Sequence, residues 1–159
     1  MYKFLTKAEI QCHGQNCCGG DAIVHPLFVS KFARTRWYGG NKPICFSRIY
    51  SCPEHNYRIQ FSVGRQDNAI ACTSLHVFSM AGDIIRYGDY SLVGVSDEEF
   101  KKNARIIAGL FMETGWYVII EPKLHHIHAD IRLDVPEILD TRGKAYAADW
   151  RETNGFWIR

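Results

Sequence analysis

No apolar run in the sequence approaches the roughly 18 residues that cross a bilayer as a helix, so a membrane-spanning helix is not expected. Lys and Arg never occur three in a row, and 19 of them against 17 acidic residues leave a formal charge of only +2. Nucleic acid is therefore unsupported as the main ligand, because phosphate binding draws on clustered cations. The opening MYKFLTKAEIQCH has neither the apolar core nor the small-residue cleavage site of a secretory signal peptide. The expectation is a protein made in the cytoplasm, any outside role requiring release by another route. Repeats, low-complexity tracts and linkers are also missing, so the chain reads as one domain over 1–159 and as a monomer.

What is present suits an ordered globular protein: 47% hydrophobic, 13% aromatic and 23% charged residues. A chain of 159 residues can bury about two thirds of its unfolded surface, enough for a core without staples. The six cysteines, Cys12, Cys17, Cys18, Cys45, Cys52 and Cys72, argue first for reduced thiols where no export signal is seen.

A loop-like QCHGQNCCGGD precedes HPLFVSKFARTRW, where Leu27, Phe28, Lys31, Phe32 and Arg36 recur at helical spacing. PICFSRIY reads as a short strand and SCPEHN as a turn. YRIQFSV and AIACTSLHVF read as further strands, with AGD and YGDY as tight connections. Ser96 followed by Glu99 forms a capping box for a helix whose face is Phe100, Ala104, Ile107, Ala108 and Phe111, ending at Gly115. WYVIIEP is a strand. LHHIHADIRLDV is another, with Ile127, Ala129, Ile131 and Leu133 on one face and His126, His128, Asp130 and Arg132 on the other. The tail from Pro136 reads as loops with a possible turn of helix. These elements make an α+β fold, a central antiparallel sheet flanked by helices.

Two constellations could hold metal. Cys12, Cys17 or Cys18, Cys52 and His55 pair a C-x₄-C with a C-x₂-H and loosely imitate a structural zinc knuckle. His76, Asp83 and His128 offer two imidazoles and a carboxylate, a three-ligand set that leaves a fourth position open, as in catalytic zinc sites. Taken singly, each of these residues reads as well as a core or surface residue. His13 and His25 read as loop residues, and the pair His125 and His126 suggests no more than adventitious metal binding.

The run S-L-H-V-F-S-M-A-G-D-I (Ser74 to Ile84) resembles the S-x-H-x-x-G-x-A-x-D motif of the zinc D-Ala-D-Ala carboxypeptidase and L-Ala-D-Glu endopeptidase family, which shares its fold with the Hedgehog signalling domain. Y-S-C-P-E-H-N (Tyr50 to Asn56) resembles that family's Y-R-[SC]-P-x-H-N, Val63 to Arg65 its V-G-G, and I-H-A-D-I-R (Ile127 to Arg132) its closing V-H-V-D-V-R. The Cys/Gly-rich start and G-G-N-K-P-I are similar to one cell-wall peptidase branch, so the resemblance covers about residues 10–132.

The resemblance implies one catalytic Zn²⁺ held by His76, Asp83 and His128, with Ser74 supporting the first ligand and Asp130 orienting the site or handling a proton. It implies hydrolysis of peptidoglycan stem peptides, in the manner of a phage-type endolysin or virion-associated lysin. Three positions depart from the pattern. Ser51 stands where an oxyanion-stabilising Arg is usual, with Arg48 the nearest replacement for substrate binding. Ser79 replaces the motif glycine, and His125 occupies the position of the general-base Glu. The base is left among Glu121, Asp130 and His125. The alternative function is a non-catalytic zinc-stabilised module that binds cell wall or a protein. A third reading is an N-terminal zinc knuckle that binds nucleic acid, whose metal would depend on Cys12 and Cys52.

Overall fold

A computed structural model describes residues 4–14, 18–20, 22–62, 74–135, 151–153 and 156–158. Cys17, Cys72, the Val63–Arg65 segment, the first half of AIACTSLHVF and most of the tail lie outside the described residues. The architecture is α+β. In chain order it comprises α1 (Lys7–Ile10), α2 (Pro26–Tyr38), β1 (Ile44–Arg48), α3 (Pro53–Ser62), β2 (Ala81–Tyr87), β3 (Tyr90–Ser91), α4 (Asp97–Glu113), β4 (Tyr117–Glu121), β5 (His126–Asp130), β6 (Arg151–Thr153) and β7 (Phe156–Ile158). The strands form one antiparallel sheet in the order β1-β2-β5-β4-β7-β6, with β3 paired to β2.

Strand alternation gives the sheet two unlike faces. Ile84, Val118, Ile120, Ile127 and Ala129 are buried on one side, and α4 packs Phe100, Ala104, Ile107, Ala108 and Phe111 against them. Ser96 caps α4 by accepting from the Glu99 N–H, and Gly115 at φ 86° turns the chain out of the helix. Phe28 and Phe32 of α2 complete this core, Phe28 edge-on to Trp116 at 5.1 Å and Phe32 edge-on to Phe46 at 5.1 Å. Each such side chain stabilises the fold by about 1.5–3 kcal/mol through burial alone. Gly82 allows the rings to close on the sheet, since a Cβ there would stand 2.6 Å from the Phe46 ring.

Several sequence expectations are corrected. SCPEHN and YRIQFS are not turn and strand but the entry and body of α3. Pro53 takes the first helical position, the Cys52 carbonyl accepts from the Asn56 N–H at 2.9 Å, and Glu54 pairs with Arg58 one turn on. AGD is the start of β2 rather than a connection, whereas YGDY does turn between β2 and β3, with Gly88 at φ 54°. Residues 74–79 are a turn rather than the end of a strand, and Phe78 is half exposed while Leu75 packs inward. Leu27 on α2 is likewise exposed, Thr35 taking a buried place on that helix. β5 ends at Asp130, short of the expected Val135: Arg132–Asp134 is a 3-10 turn, which exposes Leu133 and buries Arg132. Within the tail, 151–153 and 156–158 add β6 and β7 to the sheet, while the turn of helix expected there falls on 136–150, outside the described residues.

Candidate metal centre

The second sheet face carries the polar side chains. Arg48, Asp83, His128 and Ile119 are successive register partners across β1, β2, β5 and β4, and Asp130 is paired with both Ala81 and Tyr117. His76 reaches this face from the turn before β2. Its Nε2 lies 3.1 Å from Asp83 Oδ1 and 3.1 Å from His128 Nδ1, and that Nδ1 lies 3.2 Å from the same Asp83 oxygen. Three ligand-type atoms thus converge from three places in the sequence.

The outer ring nitrogens show what the inner ones must do. His76 Nδ1 lies 3.1 Å from the Ile49 carbonyl, which can only accept, so Nδ1 carries the proton and Nε2 turns its lone pair inward. His128 Nε2 faces Asp130 Oδ2 at 3.0 Å. Burial would raise the Asp130 carboxyl, but hydrogen bonds from His128 and Arg132 bring it down to about 2, so it too accepts. Both histidines are therefore oriented from behind, as metal-bound imidazoles are. Their inner nitrogens and Asp83 Oδ1 present electron pairs to one another, which requires a cation between them.

A zinc ion fits that requirement. Zn–N and Zn–O bonds of about 2.0–2.2 Å set tetrahedral ligand edges of about 3.3–3.6 Å, a few tenths of an ångström longer than the three contacts just given. Burial pulls His76 down, keeping its imidazole neutral and ligand-ready. For Asp83, burial opposes ionisation, but the Arg48 guanidinium on Oδ2 and the hydrogen bond from His128 hold it well below the usual carboxylate range. Burial also lowers His128, yet its bonds and charges with Asp130 and Asp83 outweigh this and lift it to about 9. In the metal-free chain the compensating cation is thus a proton on His128.

The surrounding residues divide between support and access. Arg48 binds the other Asp83 oxygen, Nε to Oδ2 at 2.8 Å, and so steadies the carboxylate. Asp130 is fully buried and takes Arg132 Nε at 2.8 Å and its backbone N–H at 3.0 Å, while the Arg132 guanidinium stacks 4.0 Å from the Tyr117 ring centroid. Ser51 is buried, its hydroxyl has no hydrogen-bond partner among the described residues, and its backbone N–H donates to the His76 carbonyl at 3.3 Å. The His76 ring donates its outer hydrogen bond to the Ile49 carbonyl rather than engaging Ser74. His125 adopts a left-handed conformation at φ 52° and points elsewhere, to the Leu92 carbonyl at 3.2 Å and edge-on to Phe100.

Sequence reasoning missed the pairing of Glu121 with His126. These residues face each other across the β4–β5 hairpin, and the His126 Nε2 is hydrogen-bonded to Glu121 Oε2 while lying 3.7 Å from Asp83 Oδ1. The hairpin was the available signal, because a four-residue connection closing two strands makes its flanking residues partners. Burial would raise Glu121, but the His126 hydrogen bond and charge bring it below its ordinary value.

A second gathering of ligand atoms lies at the start of α3. The Sγ atoms of Cys12, Cys18 and Cys52 fall within 4.8 Å of one another. For Cys52, burial opposes the thiolate, but hydrogen bonds from the backbone of His55 and Cys18 and from the Cys12 and Cys18 side chains bring it to about 7. Compared with protein-family models, curated proteins and solved structures, the chain matches none of them.

Proposed function

We propose that the chain is a zinc metallopeptidase acting on peptidoglycan stem peptides, removing a terminal D-Ala or cutting an internal bond beside a D-residue. The observation that carries the metal part is the convergence of His76, Asp83 and His128, with both outer imidazole nitrogens already engaged by acceptors. The substrate class rests on the resemblance of the segments around Tyr50, His76 and His128 to cell-wall peptidases.

His76, Asp83 and His128 would hold the zinc, which would supply Lewis acidity toward the scissile carbonyl and toward an attacking water. The chain's own residues supply the rest. Asp130 and Ile49 hold the two imidazoles in their ligating tautomers, and Arg48 holds Asp83. Hydrolysis adds water across the C–N bond, so one water proton must reach the leaving amine. Glu121, an ionised carboxylate at the edge of the cluster and bridged to it by His126, is the group best placed to carry that proton. Asp130 is saturated by His128 and Arg132 and acts as a positioning residue.

One observation favours a second reading, a non-catalytic zinc module. Arg48, the candidate for steadying the oxyanion, commits its guanidinium to Asp83. Metal content and turnover on purified sacculi, measured on the same preparations, separate the two. The peptidase reading expects zinc at the histidine centre of the wild type, new amino groups or D-Ala released, loss of turnover and of the zinc held by that centre in His76→Ala, and loss of turnover with that zinc retained in Glu121→Gln. Zinc without turnover in the wild type establishes the module instead.

A further inference from the structure

We propose that Cys12, Cys18, Cys52 and His55 form a closed structural zinc site, separate from the histidine centre, that staples the N-terminal segment to the start of α3. Cys12 Sγ lies 3.3 Å from His55 Nδ1, so an imidazole nitrogen joins the three converging sulfurs. The donor set comes from two stretches, Cys12 to Cys18 and Cys52 to His55, as in knuckle-type zinc sites. A tetrahedral site with Zn–S bonds of about 2.3 Å needs sulfur edges near 3.8 Å, within reach of sulfurs that already lie inside 4.8 Å.

The backbone is arranged for thiolates. The Cys52 N–H donates to Cys12 Sγ at 3.3 Å, and the His55 N–H donates to Cys52 Sγ at 3.4 Å. Such donors favour the charged form of sulfur over the thiol. Cys12 and Cys52 are buried, so that charge needs a partner. A disulfide would join only two of the three sulfurs and leave the third and the imidazole unaccounted for. A metal ion uses all four, and four protein ligands leave no open position, which makes the site structural.

The staple bears on the histidine centre through the chain between them. Ile49 and Ser51, immediately before Cys52, hold His76 by its ring and by its carbonyl. Fixing Cys52 fixes the segment that orients His76.

The test uses the full chain, loaded with zinc or with cobalt. Cobalt on thiolates gives a near-ultraviolet charge-transfer band that cobalt on imidazole and carboxylate does not, so the spectrum reports this site whatever the state of the other. His76→Ala is expected to retain one zinc per chain and the thiolate band. Cys52→Ser is expected to lose the band and to weaken zinc at the histidine centre about 10–100-fold, the effect typical of losing groups that orient ligands. Since Cys52→Ser can fail to fold, His55→Cys provides the second variant: it is expected to keep the metal and strengthen the band. A wild-type cobalt form without the band overturns the proposal, as does a disulfide among Cys12, Cys18 and Cys52 in the intact mass of unreduced, zinc-replete protein. Metal bound with the band but lost in His76→Ala also overturns it.

Discussion

Ser79 holds a left-handed backbone at φ 53° while nearly fully buried, a conformation that costs a residue with a Cβ about 1–2 kcal/mol. It sits where the resembling motif has glycine, and the turn it forms delivers His76 to the sheet. Ser79→Gly relieves the strain, and part of the gain is offset by the greater freedom of glycine in the unfolded chain. The expected net is about 0.5–1 kcal/mol of added stability, a rise of about 1–4 °C in Tm with zinc content unchanged. A fall in Tm would sink the strain account. Asp130 is the opposite kind of residue, satisfied on every side. Asp130→Asn takes away the negative charge that faces the buried Arg132 and leaves one carbonyl oxygen where two carboxylate oxygens held Arg132 and His128. The expected cost is about 3–5 kcal/mol in denaturant unfolding, with zinc affinity at the histidine centre reduced about 10–100-fold in a competition assay. Unchanged affinity would deny Asp130 its positioning role. The convergence of His76, Asp83 and His128 was legible because residue types and order point to it. The pairing of Glu121 with His126 and the turning away of His125 could not be read there, because they depend on the hairpin register and the direction of the His125 ring.

At the scale of elements, periodicity was a sound guide where burial is one-sided. α4 presents the face expected of it because Phe100, Ala104, Ile107, Ala108 and Phe111 have a single sheet to pack on. It misled at α3, where the alternation of Tyr57, Ile59 and Phe61 mimics a strand; the opposing signals were Pro53 at the first position and the Glu54–Arg58 pair. Beyond Asp130 the alternation continues through Leu133, but the hydrogen bonds that Asp130 makes to Arg132 turn the chain instead. β6 and β7 carry too few residues for any period to register. Within β2, Gly82 is the position where packing tolerates least. Its added Cβ would meet Phe46 at 2.6 Å and Phe28 at 3.3 Å, both rings already buried and packed. Gly82→Ala is therefore expected to lower stability by about 1–3 kcal/mol in chemical unfolding. A cost below about 0.5 kcal/mol would mean that the rings have room to retreat.

At the scale of the whole molecule, the sheet separates the work of folding from the work of the site. Hydrophobic packing on one face holds the strands in register, and that register brings Asp83 and His128 together on the other. Removing the proposed zinc from the histidine centre is thus expected to leave the fold intact while exposing the electrostatics of the cluster. In the metal-free chain His128 is raised from 6.5 to about 9 by Asp130 and Asp83 against the pull of burial. A raised folded-state value means that the protonated form stabilises the fold: the contribution is full below the unfolded value of about 6.5 and is lost as pH climbs through about 9. Its ceiling is on the order of 3 kcal/mol. Protein treated with a mild chelator should accordingly show a Tm that declines by several degrees between about pH 6.5 and 9, with circular dichroism at low temperature unchanged. Zinc-loaded protein lacks that decline, because the ligand atom is occupied by metal rather than by a proton. The gap between the two Tm curves should then widen with pH across this window. A gap that stays constant or narrows would show that His128 is not the group carrying the compensating charge.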